Sequence, residues 1–205
     1  MLMREQKNNT SSRRGFTLIE MVVALSIFAI ATTYSVGIFV QSQKTQKRTA
    51  NIYRVLSDVR YTTEVMAREI RLGRIDYDYY DAEQIDLTTV PLTQETGILA
   101  LRDSSGESVM FRRTANGDRF VIQMKSGDND NWQDITPEDL SIERFSLYIS
   151  PTVDPFLWND AAEDFLSDEQ PRVTLIVRAK SLHPDLTTVK IFDLQTTVTT
   201  RAYLR

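Results

Sequence analysis

The sequence predicts an α+β protein: a long N-terminal helix, membrane-spanning in its first half and amphipathic in its second, packed on a mainly antiparallel β-sheet head. Three observations carry this expectation. Residues 16–40, FTLIEMVVALSIFAIATTYSVGIFV, form an apolar run of 25 with a single charge, Glu20. Residues 41–72 contain no proline or glycine, and their apolar residues recur at helical spacing. From about residue 85 the apolar pattern changes to period two, as strands require.

The first element is the segment before the apolar run. Residues 1–15 hold four basic side chains, Arg4, Lys7, Arg13 and Arg14, against Glu5, a net of +3. The other 190 residues hold 20 basic and 27 acidic side chains, a net of −7, so the whole-chain charge of −4 sums two unlike parts. A basic flank before a membrane-length apolar segment predicts a cytoplasmic N-terminus and a body on the far side of the membrane. Two ordinary export signals compete with a membrane anchor. Ala29-Ile30-Ala31 fits a secretory cleavage pattern, and Ser12-Arg13-Arg14-Gly15-Phe16 carries paired arginines. Against both, the apolar run continues to Val40, beyond a signal's length, and a carboxylate stands near its start, where an ionisable group is costly.

Arg13-Arg14-Gly15-Phe16-Thr17-Leu18-Ile19-Glu20 resembles the type IV prepilin signal shared by type IV pilins and type II secretion pseudopilins. The resemblance implies a leader, residues 1–15, recognised through Arg13 and Arg14. It implies cleavage between Gly15 and Phe16 by prepilin peptidase, and N-methylation of Phe16. Glu20 then becomes the fifth residue of the mature chain, paired with the N-terminal amine of a neighbouring subunit. The chemistry is sound in its own right. Glycine lets an extended backbone approach a protease closely. A carboxylate in hydrocarbon needs a partner, and a free amine supplies one. Major pilins often carry a helix-kinking proline in this segment. Here Gly37 is the one helix-weak residue, read either as a softer flexible point or as a small residue for close helix packing.

The helix is expected to run from Phe16 to Leu72, 57 residues or about 86 Å at 1.5 Å per residue, with residues 16–40 as transmembrane or filament-core helix. Residues 41–73 form the amphipathic continuation. Its apolar stripe is Ile52, Val55, Leu56, Val59, Met66 and Ile70. The opposite face carries Lys44, Lys47, Arg48, Arg54, Arg60 and Arg68, read as solvated, and Gly73 is the stop.

Residues 74–205 are the β-rich head, with six or seven antiparallel strands forming the sheet against which the helical stripe packs. Alternation marks Ile98–Leu101, Val109–Phe111, Phe120–Met124, Phe145–Ile149, Val173–Val177 and Phe192–Val198, and Asn116-Gly117 marks a hairpin. The order of Ile135-Thr136-Pro137-Glu138-Asp139-Leu140, Pro171-Arg172-Val173-Thr174-Leu175 and Leu194–Arg201 is similar to the larger minor subunits, the J-type pseudopilins and W-type minor pilins. That likeness implies a place in a low-abundance complex that primes or caps a filament. The chain has no cysteine, so the disulfide loop common in major pilins is absent.

Catalysis finds little support. Without cysteine, thiolate nucleophiles and thiolate metal sites are excluded, and the one histidine, His183, cannot build a multi-histidine site. No catalytic, cofactor-binding or metal residue is assigned. Ser126-Gly127-Asp128-Asn129-Asp130-Asn131 begins like a calcium loop but fails at Trp132 and lacks the closing glutamate, so a polar turn is preferred. Asp76, Asp78 and Asp81 interleave with Tyr77, Tyr79 and Tyr80. The favoured reading is a loop whose tyrosines cover the helix end, with a recognition patch as the other. Asp154–Glu169, with Phe156, Trp158 and Phe165, reads as an insertion with a short helix at Asp160–Leu166, a packed lid in preference to a docking surface. The expected partners are prepilin peptidase, other pilins or pseudopilins, an inner-membrane assembly platform and, before assembly, membrane lipid. The alternative is a tip adhesin or a DNA-uptake pilin. The latter needs a basic groove, for which Arg112, Arg113 and Arg119 are the local candidates in an acidic head.

Overall fold

The computed structural model describes residues 15–88, 91–92, 97–127, 131–160, 162–182 and 191–201. The chain divides into two units, residues 1–47 and 48–205. Helix α1, Leu18–Leu72, supplies all the described secondary structure of the first and opens the second.

In the first unit α1 begins two residues later than Phe16. The Thr17 hydroxyl accepts the Glu20 backbone N–H at 3.3 Å, which places Thr17 at the N-cap and Glu20 in the first turn. Every described side chain from Phe16 to Val40 is exposed, in keeping with a helix that is apolar all round. Its hydroxyls are satisfied within the helix: Ser26, Thr33 and Ser35 each donate to the carbonyl four residues back at 2.8 Å. A polar side chain that bonds its own helix leaves no group in need of water.

In the second unit the stripe of α1 is buried at Val55, Val59, Met66 and Ile70, as the spacing predicts, with Ile52 and Leu56 half-buried. Thr62, Thr63 and Ala67 are buried beside them. The threonines enter the core without an unmet polar group because their hydroxyls donate to the carbonyls of Asp58 and Val59 at 3.1 and 2.9 Å. The helix ends at Gly73, whose N–H donates to the Glu69 carbonyl at 2.8 Å. A Cβ there would lie 2.6 Å from the Arg102 carbonyl oxygen, so only glycine fits the crossing.

Past the helix, β1 (Arg74–Ile75) pairs with β2 (Leu99–Arg102), and between them stands α2 (Tyr77–Ala82). The loop expected at Asp76–Asp81 is thus mostly a helical turn, and its Tyr77 and Tyr80 belong to the core. β3 (Ser108–Asn116), β4 (Arg119–Ser126) and β5 (Gln133–Asp134) extend this sheet in the order β1-β2-β3-β4-β5. The β3–β4 hairpin forms as predicted, one residue along from Asn116-Gly117: Asn116 pairs with Arg119, and Gly117 opens the two-residue turn at φ +60°, the position where such turns favour glycine.

A second sheet contains β6 (Leu140–Ser150), β9 (Arg172–Ser181) and β10 (Ile191–Thr199) in the order β10-β9-β6. The head is therefore divided, and this corrects the expectation of one sheet of six or seven strands. Ten strands in three sheets are present among the described residues. The four unforeseen strands have two residues each, too short for any period. Side chains seal the seam between the main sheets. Thr136 Oγ1 accepts the Ile122 N–H at 2.9 Å and Ser141 Oγ accepts the Phe120 N–H at 3.1 Å, doing for β4 what a paired strand would do. The third sheet is a hairpin of β7 (Trp158–Asn159) and β8 (Asp164–Phe165). It replaces the helix expected at Asp160–Leu166, and the edge-to-face packing of Trp158 on Phe165, centroids 5.2 Å apart, favours the strand pairing.

Candidate functional site

Gly15, Phe16 and Glu20 stand together at the entry to α1. Gly15 and Phe16 precede the helix, Phe16 is 76% exposed, and no atom lies within 4 Å of a Cβ placed on Gly15. The peptide expected to be cut is thus in irregular, open backbone. Glu20 lies in the first turn of α1, where a carboxylate faces the positive end of the helix dipole. The Thr17-x-x-Glu20 spacing is a helix-start signature that locates the boundary, and weighing it would have moved the expected start from Phe16. Arg13 and Arg14 lie outside the described residues.

The other residues singled out in the sequence serve the fold. Tyr80 Oη donates to the Ile98 carbonyl at 3.0 Å and accepts the Ala100 N–H at 2.9 Å. Tyr77 Oη donates to the Pro151 carbonyl at 2.9 Å. Burial pushes both hydroxyls far above the ordinary tyrosine range; the Asp154 carboxylate adds to this at Tyr77, while the Ala100 hydrogen bond opposes it at Tyr80. Asp76, buried, pairs with Arg102 at 3.1 Å.

The arginines proposed for nucleic acid are each engaged. Arg112 lies 3.9 Å from the Trp132 ring centroid and donates to Gln123 Oε1. Arg113 lies over Phe120 at 3.7 Å and donates to the Ile142 carbonyl at 2.6 Å; burial lowers its pKa, and Glu143 opposes this. Arg119 donates to the Pro137 carbonyl at 2.8 Å. They form struts between strands and loops. Among the described residues no cluster of acidic or histidine side chains is placed to hold a metal. Asp128, Asn129 and Asp130 of the calcium-like stretch, and His183, lie outside those residues. The Asp154–Glu169 insertion is exposed at Leu157, Trp158 and Leu166, which corrects the packed-lid reading.

An α+β head on a long N-terminal helix is an architecture consistent with a pilin-like fold. Residues 10–35 match the family model of the prokaryotic N-terminal methylation motif, and the match supports a type IV prepilin-like protein. The motif implies processing by prepilin peptidase and assembly with pilin-type subunits in general, and proteins that carry it are generally structural. α1 is long and apolar enough to cross a membrane, and together with the motif this is consistent with a single-pass membrane anchor. No curated protein and no solved structure matches the chain.

Proposed function

We propose that the chain is a minor pilin or pseudopilin, cut after Gly15, methylated on Phe16, and assembled into a type IV pilus-like or type II secretion filament within its priming or tip complex. Residues 1–15 are the leader, with Arg13 and Arg14 meeting the peptidase. Residues 16–40 cross the membrane and later form the filament core, residues 41–73 carry the helix into the head, and residues 74–205 complete it. Before assembly the chain sits in the inner membrane with its N-terminus in the cytoplasm and its head outside, close to lipid and the assembly platform. The observation that carries this reading is the register of Gly15, Phe16 and Glu20 inside the matched residues 10–35, at the start of a helix whose apolar first half is exposed throughout. In a stack of such helices the Glu20 carboxylate of one subunit neutralises the Phe16 amine of the next, a pairing favoured by low dielectric.

N-terminal mass analysis of the membrane-extracted protein tests it. The expected product begins at N-methyl-Phe16, and a chain beginning at Thr32 or retaining Met1 overturns the reading. Glu20→Ala is expected to leave cleavage intact and to reduce entry into the filament; undiminished incorporation refutes the pairing.

A further inference from the structure

Two exposed surfaces of the second unit complement each other. One is the β7–β8 hairpin, where Leu157 is 56% and Trp158 48% exposed, with Trp158 packed edge-to-face on Phe165. Residues 153–169 around it carry six carboxylates and no basic side chain, a charge that disfavours both anionic lipid and nucleic acid. The other is a groove of about 570 Å³ between α1 and β10, with an apolar floor at Ala67 and Leu194 and with Arg60, Tyr61 and the mutually paired Glu64 and Arg71 on its wall, which leaves Arg60 as its uncompensated charge. Arg60 and Tyr61 are exposed, and Arg60 has no ion pair among the described residues.

The two surfaces share no residue. The hairpin follows the end of β6, beside the Tyr77–Pro151 hydrogen bond just past the C-terminus of α1. The groove runs back along the helix from Arg71 to Ser57.

We propose that the hairpin of one copy docks in the groove of a second copy, with Leu157 and Trp158 against its apolar floor and Asp160 and Glu163 facing Arg60. Charge and shape select the occupant: an acidic, aromatic knob and a groove whose wall carries a cation without an ion pair among the described residues occur on one head. A contact between two different patches is heterologous. It leaves a free groove on one copy and a free hairpin on the other, open to the neighbouring subunits of the priming or tip complex. Rigid aromatic anchors in a desolvated pocket carry the affinity, and the carboxylates set the orientation. The inference rests on the reading of the chain as an assembling subunit.

Cysteine cross-linking of the full chain in membranes tests it, because the natural sequence has no cysteine. Leu157→Cys in one chain and Tyr61→Cys in another, co-produced, are expected to give a mixed disulfide. Asp160→Lys with Glu163→Lys is expected to lower the cross-linked fraction about tenfold, as the loss of exposed ion pairs allows, and Arg60→Glu is expected to restore it. Leu157→Cys linking to itself as readily, linkage only to a different protein, or no linkage in chains processed to Phe16 overturns the proposal. A mixed disulfide in chains not processed at Phe16 leaves the docking standing and removes the filament reading instead.

Discussion

Tyr80 closes a strand onto a helix with one hydroxyl. Its two hydrogen bonds, to Ile98 and Ala100, satisfy buried backbone at the start of β2. Tyr80→Phe keeps the ring and strands both groups, so it is expected to cost about 1–3 kcal/mol, read as a lowered midpoint in denaturant unfolding. The same burial makes the fold sensitive to alkali. The folded-state pKa of Tyr77 and Tyr80 lies above the unfolded value of about 10. Their contribution is therefore fully present below about pH 10 and lost as the pH rises above it. The ultraviolet signal of their ionisation is expected to appear together with unfolding, and ionisation well before unfolding would contradict it. Alternation of Asp and Tyr in the sequence pointed to this segment without showing that its tyrosines face inward, because the hydroxyl partners lie 18 to 74 residues away.

At the scale of elements, the second half of α1 divides its work between two faces. Met66 is fully buried, and Met66→Ala is expected to cost about 2–5 kcal/mol in the same unfolding measurement. On the other face the Arg54–Asp139 pair, at 3.4 Å with the Arg54 side chain 66% exposed, contributes little because water screens it. The apolar stripe was legible because helical periodicity is local. Burial of Thr62 and Thr63 was not, since a threonine reads as polar until its hydroxyl is seen to turn back onto the helix. The β7–β8 hairpin was missed for a related reason: strands of two residues have no period, and their pairing depends on Trp158 finding Phe165.

For the whole molecule, an exposed apolar run of 25 residues, helical from Leu18, and an acidic chain of net −7 after residue 15 make two demands on solvent. The first needs hydrocarbon, at about 25 cal/mol per Å² of apolar surface, and the second needs water. The full chain is expected to pellet with membranes, to resist extraction by high salt and alkaline wash, and to be released by detergent. Release by salt alone would show that the helix lies on the membrane surface and does not cross it.

What depends on neighbours along the chain is readable from the residues alone: the register of Gly15, Phe16 and Glu20, the membrane-length block, the helical stripe, and the six longer strands with their hairpin at Gly117. Each is a matter of length, period or spacing. The division of the head into separate sheets, the sealing of their seam by Thr136 and Ser141, the use of Arg112, Arg113 and Arg119 as struts, and the exposure of the acidic hairpin emerge first in the folded chain. These depend on which strand edges meet and which polar groups find partners across the fold, and such pairings join residues that no local pattern connects.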